Sequence, residues 1–342
     1  MDRLKTAIVG CGGVHVMHAQ ALVGMEEAEL RVLCDIKPER AQASADRFGG
    51  RPETNFETVL RDADIDVVHL CVPHYLHAPM AIAALKAGKH VLCEKPMATS
   101  ITDAKAMAEA AKGAQGQLGI IFQNRYNAAS VRLKALIEGG EMGRLVALRG
   151  LVDWKRDQAY YSDDWHGRPA LEGGGVMMNQ AIHTLDLVQW MSGARAQTVS
   201  GIVGNTSLQG LMGVEDTASF RITFDNGLIG VFQATLGYAL DSEVEVEAVL
   251  EGGTLLLKGE HLYRREGEEM ALVQGKARQE AGGKDYWGTG HALQIADFYH
   301  SLLAGTPVAI GCEEAFPAFA IVQALYESAR QGALPAAVER LE

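Results

Sequence analysis

The sequence predicts an α/β protein built from an N-terminal Rossmann domain with a doubly wound parallel sheet and a C-terminal α+β domain with an open, mostly antiparallel sheet. Its 342 residues exceed the size at which one hydrophobic core usually keeps growing. The first 122 residues alternate short β-rich runs with helical patterns, which is typical of a parallel sheet with crossover helices. Longer alternating strands follow. We therefore expect domains over residues 1–123 and 124–342.

The elements of the first domain follow from its hydrophobic patterns. A strand ends at a glycine turn, a second strand ends at Asp35, and each strand is followed by a helical pattern. Strands are predicted over residues 6–9, 30–34, 67–72, 91–93 and 118–122, and helices over residues 38–48, 77–87 and 101–112.

The second domain begins with helical patterns and continues with strands. Helices are predicted near residues 130–138 and, after a triple glycine, near 176–191, with a strand near 145–154 between them. Ala218, Phe220, Ile222 and Phe224 alternate with polar residues, and the turn at residues 225–227 predicts a hairpin. A second run of alternating strands and two helices near residues 291–303 and 313–331 complete the pattern. An open sheet needs cover, so we expect a homodimer or homotetramer formed through it.

The charge and composition exclude several classes of partner. The formal net charge is −12, with 48% apolar residues and no basic run, so neither nucleic acid nor an anionic membrane is expected as a partner. No signal segment or membrane-spanning run is evident. The five cysteines show no metal or redox spacing, which indicates buried thiols and a cytoplasmic location.

A dinucleotide site is predicted where the first strand meets its helix. The glycine turn contains Gly10, Gly12, Gly13, Val14 and His15, with His15 in place of the usual third glycine. Asp35 ends the next strand, where a carboxylate can accept hydrogen bonds from both ribose hydroxyls and would repel a 2′-phosphate. NAD is therefore expected as the cofactor, rather than NADP.

Several further motifs resemble those of the Gfo/Idh/MocA family of oxidoreductases, named for glucose-fructose oxidoreductase and inositol dehydrogenase. The resemblance runs nearly end to end, and its most specific part is Gly88-Lys89-His90 followed by Glu94-Lys95-Pro96. It also includes His18-Ala19, Cys71-Val72-Pro73 through His77, Arg125-Tyr126, Glu172-Gly173-Gly174-Gly175 leading to Asn179, His183 and Asp186, and Gly290-His291 before Asp297-Phe298.

The resemblance implies roles around the cofactor. Glu94-Lys95-Pro96 would close the cofactor cleft with Lys95 directed at the substrate, and Gln123 and Arg125 would approach from the domain boundary. Pro73, His74 and His77 would line the nicotinamide end.

Oxidation of a secondary alcohol needs a base for the hydroxyl proton and a group that stabilises the developing oxyanion, and Lys95 and His183 are the candidates. If residues 176–191 form one helix, Asn179, His183 and Asp186 share one face of it. Inositol dehydrogenases carry aspartate at the position of Asn179. Asn179 can orient His183 or bind substrate, but it cannot stabilise an imidazolium, so proton transfer by Lys95 or by His183 both remain open.

Candidate substrate contacts combine aromatic, cationic and polar groups, since aromatic faces stack on sugar rings and cations suit a carboxylate or a diphosphate. Packing between domains is the alternative role for several of them. The candidates are Arg125, Tyr126, Tyr160, Trp165, Arg168, Asn179, Asp186 and His291. No metal site is predicted, because His69, His74 and His77 have no acidic or thiol partner at suitable spacing.

These observations predict an NAD-dependent oxidoreductase that transfers a hydride between nicotinamide and a ring hydroxyl of a sugar, sugar acid, nucleotide sugar or cyclitol. An inositol dehydrogenase is the alternative within enzymes. A non-catalytic dinucleotide sensor or scaffold of the same fold is the alternative from another class.

Overall fold

The computed structural model describes residues 3–276 and 290–341. The ends of both predicted domains, residues 1–2 and 342, lie outside these ranges. Two sheets organise the chain, one of six parallel strands and one of nine strands. Among the described helices, none combines the length and the apolar character that crossing a bilayer requires.

The first sheet has the strand order β3-β2-β1-β4-β5-β6. Its strands are β1 (Leu4–Val9), β2 (Ala28–Cys34), β3 (Arg51–Glu53), β4 (Val67–Leu70), β5 (His90–Cys93) and β6 (Leu118–Ile120). Every neighbouring pair is parallel. The order reverses between β1 and β4, and in such sheets ligands bind outside the carboxyl ends of the strands at this switch point.

Five helices connect these strands: α1 (His15–Val23), α2 (Pro38–Phe48), α3 (Phe56–Arg61), α4 (His77–Lys86) and α5 (Ile101–Lys112). The predicted doubly wound sheet is confirmed. The sequence patterns missed β3, which is a largely exposed three-residue edge strand, Arg-Pro-Glu, without a β-branched or aromatic residue. They also missed α3, which has only six residues.

The second sheet has the order β14-β13-β12-β11-β7-β10-β9-β8-β15, in which β7 and β10 pair in parallel and the other described neighbours are antiparallel. Its strands are β7 (Leu145–Asp153), β8 (Ala196–Gly204), β9 (Thr217–Phe224), β10 (Ile229–Thr235), β11 (Glu245–Leu250), β12 (Gly253–Lys258), β13 (His261–Glu266), β14 (Glu269–Gln274) and β15 (Ala336–Ala337). The predicted mostly antiparallel sheet is confirmed, and Ala218, Phe220, Ile222 and Phe224 are buried on one face.

The remaining helices are α6 (Ala128–Gly139), α7 (Pro169–Glu172), α8 (Val176–Asn179), α9 (Ile182–Ser192), α10 (Gly290–Ala304) and α11 (Cys312–Arg330). The single helix predicted near residues 176–191 is wrong, because the chain turns between α8 and α9. There the Ala181 N–H donates to the Val176 carbonyl at 2.7 Å, which spans five residues and widens the turn.

Helix α10 packs against the first sheet although it follows the second sheet in the chain. Ile295, Phe298 and Tyr299 are buried in one cluster with Ile8 and Leu22. The Tyr299 hydroxyl lies 2.6 Å from Thr6 Oγ1 and 3.0 Å from His69 Nε2. The first sheet therefore takes part of its core from residues near the other end of the chain.

Candidate active site

The glycine turn lies at the switch point of the first sheet and fits a dinucleotide pyrophosphate. Gly10 has a φ of +92°, and a Cβ there would lie 2.3 Å from the Cys71 carbonyl oxygen, so only glycine lets β1 and the segment after β4 approach this closely. At Gly12 and Gly13 a Cβ would meet nothing within 4 Å, which leaves backbone exposed to open space at the start of α1.

Asp35 lies directly beside this turn. Its Oδ2 accepts a hydrogen bond from Cys11 N at 2.8 Å and its Oδ1 accepts one from Lys37 N at 2.9 Å. A carboxylate offers about four acceptor positions, so capacity remains for the hydroxyls of a ribose. The two backbone hydrogen bonds fix the carboxylate at the edge of the cleft.

The cleft has a volume of about 710 Å³ and takes side chains from the first sheet, from α8 and α9, and from segments next to the strands of the second sheet. It gathers most of the residues predicted to hold the cofactor, namely Gly10, Gly12, Gly13, Val14, Asp35, Pro73, His74, His77, Glu94, Lys95 and Gln123. The side chain of His15 is the exception: its Nδ1 meets the Gly12 carbonyl and its Nε2 meets Ser44 Oγ. This imidazole therefore joins the glycine turn to α2 and does not line the cleft.

Two histidines tie the segment after β4 to its surroundings. His77 Nδ1 lies 2.6 Å from the Pro96 carbonyl, and its Nε2 lies 2.8 Å from the Val72 carbonyl. The peptide bond between Lys95 and Pro96 is cis. His74 Nδ1 lies 2.9 Å from the Glu172 carbonyl. Because these ring nitrogens are directed at carbonyls and those of His69 face His18 and Tyr299, the three histidines are not gathered around one point.

A lysine from the segment after β5 contacts α8 within the cleft. Lys95 Nζ donates to the Asn179 carbonyl at 3.0 Å and lies 3.4 Å from Asn179 Oδ1. Burial lowers the pKa of Lys95, while the carboxylates of Glu94 and Glu172 act in the opposite direction.

His183 lines the same cleft from the first turn of α9. Its Nδ1 is buried and forms no hydrogen bond with any residue in the described ranges. Burial and the nearby Lys95 hold the pKa of His183 well below its usual value, so the ring is neutral at neutral pH. A neutral imidazole offers one donor and one acceptor nitrogen.

Glu94 is the centre of a buried hydrogen-bonded group. Its Oε1 lies 3.1 Å from His18 Nε2 and 3.3 Å from His291 Nε2, and His18 Nδ1 lies 2.9 Å from His69 Nδ1. Burial alone would raise the pKa of Glu94, but hydrogen bonds from the two imidazoles hold it well below its usual value. His18, Glu94 and His291 also form a group of metal-ligand type, so the predicted absence of a metal stays a prediction.

Tyr160, Trp165, Asn179 and His291 line the cleft, whereas four other candidate substrate contacts do not. Arg125 Nε donates to Asp186 Oδ2 at 2.7 Å, and this pair joins the segment after β6 to α9. Tyr126 donates its hydroxyl to Asp297 Oδ2 at 2.7 Å, and Arg168 is exposed just before α7. Arg125, Tyr126, Arg168 and Asp186 therefore lie outside the cleft in this structure, and their role as substrate contacts stays a prediction.

The sequence patterns missed several residues that the structure brings to the cleft, among them Gln180 and Thr184. Both are adjacent to predicted residues, Asn179 and His183, and that adjacency was the available signal. The structure also places the buried carboxylate of Glu172 directly behind Asn179, with 2.7 Å between Asn179 Nδ2 and Glu172 Oε1. No sequence pattern indicated this contact.

Comparison with known proteins agrees with the fold and with the predicted family. Residues 4–122 match the family model described as the oxidoreductase family with an NAD-binding Rossmann fold, and residues 130–256 match the GFO/IDH/MocA C-terminal domain. The chain is 25% identical to levoglucosan dehydrogenase of Pseudarthrobacter phenanthrenivorans over 96% of this chain and 97% of that protein. It is 27% identical to inositol 2-dehydrogenase of Rubrobacter xylanophilus, covering 100% of this chain and 95% of that protein.

Among solved structures, the WlbA dehydrogenase from Bordetella pertussis, in complex with NADH and UDP-GlcNAcA, superposes with a TM-score of 0.86. The identity is 28%, and the match covers 99% of both chains. The fold and the cleft thus define an oxidoreductase with an NAD-binding Rossmann domain. The chain belongs to the GFO/IDH/MocA family. The predicted family and the predicted NAD-dependent dehydrogenase class are confirmed.

Proposed function

We propose that this protein transfers a hydride between nicotinamide and a secondary ring hydroxyl or ketone of a sugar, sugar acid, nucleotide sugar or cyclitol. The observation that carries the proposal is that Lys95, from the segment after β5, contacts Asn179 in the cleft that also contains the glycine turn and His183. The named relatives act on or bind levoglucosan, inositol and UDP-GlcNAcA, which are all polyhydroxylated rings.

Gly12, Gly13 and Asp35 would hold the dinucleotide, and Glu94, Lys95 and Gln123 would surround its reactive end. When bound, nicotinamide supplies the hydride acceptor for alcohol oxidation. Retention of the cofactor depends on backbone N–H groups at the start of α1 and on the carboxylate of Asp35.

We assign proton transfer to Lys95. A neutral amine has two hydrogens and one lone pair. The backbone carbonyl oxygen and the side-chain Oδ1 of Asn179 can each accept one of these hydrogens. The lone pair is then available to take the proton of a substrate hydroxyl as the hydride leaves its carbon. His183, held neutral, would form a hydrogen bond to the same hydroxyl and stabilise the charge that develops on its oxygen.

Around the ring of the substrate we place Tyr160, Trp165 and His291. The Trp165 ring lies 4.8 Å from His74 and 3.8 Å from His166, so these aromatic groups form one wall of the cleft. Such a wall suits the apolar face of a sugar ring.

The purified protein should be incubated with NAD⁺ and, separately, with UDP-GlcNAcA, levoglucosan and myo-inositol, while the absorbance of reduced cofactor is followed. We expect reduction with at least one of the three. Lys95→Met should lower kcat by roughly 10³-fold without weakening NADH binding. If NADH binds and no ring alcohol is oxidised, the proposal fails and a non-catalytic dinucleotide sensor would account for the fold.

We also propose a homo-oligomer in a reducing, cytoplasmic compartment. Ile202 and Val231 are exposed on the outer face of the second sheet, which is the face expected to pair. All five cysteines are buried and free. Light scattering on the purified protein tests the first statement: a Val231→Asp variant should shift the particle mass toward the monomer, and a monomeric parent would contradict it.

A further inference from the structure

Asn179 stands between Lys95 and a buried carboxylate. Its amide nitrogen donates to Glu172 Oε1 at 2.7 Å and to the Tyr160 hydroxyl at 3.1 Å. An amide nitrogen has two hydrogens, so these two acceptors use its full donor capacity. The amide oxygen must then face the other way, toward Lys95 Nζ at 3.4 Å.

Glu172 is well placed to fix this orientation. Its side chain belongs to α7, the residue is 1% exposed, and its Oε2 accepts a hydrogen bond from Gly167 N at 2.6 Å. Each carboxylate oxygen therefore holds one donor, from Asn179 and from the segment that carries Trp165 and His166. A buried carboxylate with these partners cannot move freely.

The charged and titratable groups that face Glu172 come from several elements. Burial raises the pKa of Glu172, and among the charged groups Glu215 raises this pKa further and Lys95 lowers it. The groups that face Glu172 are Lys95, Tyr161, Glu215, Tyr326 and His74. His74 contacts the backbone carbonyl of Glu172. Within the described residues, Lys95 is the cation of this set that faces both Glu172 and the cleft.

We propose that Glu172 is a positioning residue for Lys95, acting through Asn179: it orients the amide oxygen toward Nζ and supplies the negative charge that residue 179 lacks. The inference rests on the proposed role of Lys95 in proton transfer.

The experiment measures how readily Lys95 loses its proton, which needs no substrate. The full chain, free of cofactor, is labelled with trace acetic anhydride across neutral and alkaline pH, and mass spectrometry gives the acetylation midpoint of Lys95. Lys105, an exposed lysine paired with Glu339, serves as an internal reference. The variants are Glu172→Gln and the exchange Glu172→Gln/Asn179→Asp.

We expect the Lys95 midpoint to fall by about half a pH unit or more in Glu172→Gln, because a carboxylate that stabilises the ammonium is lost. At a fixed pH below both midpoints, Lys95 should then be acetylated about threefold faster. The exchange variant should return the midpoint to the parent value or above it, since the carboxylate is now adjacent to Nζ. Lys105 should not change in either variant.

A matched control is Glu215→Gln, which removes a second buried carboxylate. The Glu215 carboxylate accepts hydrogen bonds from Gly175 N and the Tyr326 hydroxyl, and it accepts none from Asn179. It should leave the Lys95 midpoint unchanged. An unchanged midpoint in folded, NADH-binding Glu172→Gln would overturn the inference and leave the proposed function standing. If Glu172→Gln does not fold, a midpoint below the parent value in the exchange variant overturns it.

The same variants separate a positioning role from a purely structural one. With any ring alcohol that the parent oxidises, the acidic limb of kcat/KM should shift to lower pH in Glu172→Gln. A structural defect would instead lower kcat/KM by the same factor at every pH. If the parent protein oxidises no ring alcohol, the proposed function is refuted. The acetylation midpoint of Lys95 would still show whether Glu172 influences this lysine.

Discussion

His18 Nε2 lies 3.1 Å from Glu94 Oε1, and both side chains are buried. The hydrogen bond keeps a negative charge in an apolar interior, where an unpaired carboxylate would be strongly destabilising. It also links α1, which begins at the glycine turn, to the segment that carries Lys95. The cofactor turn and the proposed proton acceptor are thus held by one buried network.

Replacement of His18 by phenylalanine should lower the free energy of unfolding by about 3 kcal/mol, because Glu94 loses one of its two imidazole donors. Urea denaturation followed by circular dichroism measures the change. His300→Phe makes the same substitution at an exposed histidine paired with Glu27 and should not change the midpoint. A parent-like midpoint in His18→Phe would contradict the prediction.

Substitution of Asp35 by asparagine should weaken the preference for NAD over NADP. The neutral amide no longer repels a 2′-phosphate, so the ratio of the two dissociation constants should shift by about tenfold or more toward NADP. Quenching of protein fluorescence gives both constants. Asp64→Asn, which removes an exposed carboxylate paired with Lys5 away from the cleft, should leave the ratio as it is. The prediction is wrong if Asp35→Asn keeps the parent ratio.

Replacement of Arg125 by methionine should destabilise the protein without affecting substrate binding. It leaves Asp186 buried without its bidentate partner, and the free energy of unfolding should fall by about 3–5 kcal/mol. Denaturation and steady-state kinetics should be compared on the same sample. KM should stay within about threefold of the parent value. A large rise in KM with unchanged stability would contradict this prediction and indicate that Arg125 contacts the substrate.

The stability of the protein should depend on pH through Glu172. Burial raises the pKa of this carboxyl group from 4.5 to about 7, although hydrogen bonds from Asn179 and Gly167 lower it. The contribution of the protonated Glu172 carboxyl group to the free energy of unfolding is therefore complete below about pH 4.5 and is lost as the pH rises through about 7. This contribution is on the order of 3 kcal/mol in total.

Glu172→Gln should flatten the dependence of the free energy of unfolding on pH across this interval. The slope is the informative quantity, since the amide cannot accept from both Gly167 N and Asn179 Nδ2 and a uniform loss of stability is expected as well. Thermal or urea unfolding at several pH values measures it. An equally steep slope in parent and variant would show that Glu172 titrates near its usual pKa.

Much of the fold was predictable because periodicity reports directly on burial. The parallel strands of the first sheet read as short apolar runs, and the alternation in β9 marks a sheet with one buried face. Where burial is slight, as in β3, the signal is absent and the element was missed. The wide turn at Ala181 was also missed, since a helical pattern continues on both sides of it.

The candidate site was predictable where a residue has its position fixed by one local motif, as with Gly10, Asp35 and Lys95. Pairings between separate segments were not. Arg125 and Asp186 are 61 residues apart, and nothing in their spacing indicates that each satisfies the other in the interior. Glu172 is seven residues from Asn179, but their contact depends on how the three glycines at residues 173–175 turn the chain between α7 and α8.

The packing of α10 on the first sheet determines when that sheet can finish folding during synthesis. Ile295, Phe298 and Tyr299 complete the cluster around Ile8 and Leu22, so a nascent chain that stops at residue 123 exposes part of this apolar surface. This side of the first sheet can be covered only after residues 290–299 have been synthesised, when most of the polypeptide has been made. Until then, the nascent N-terminal segment is a natural client for chaperones that bind apolar surface.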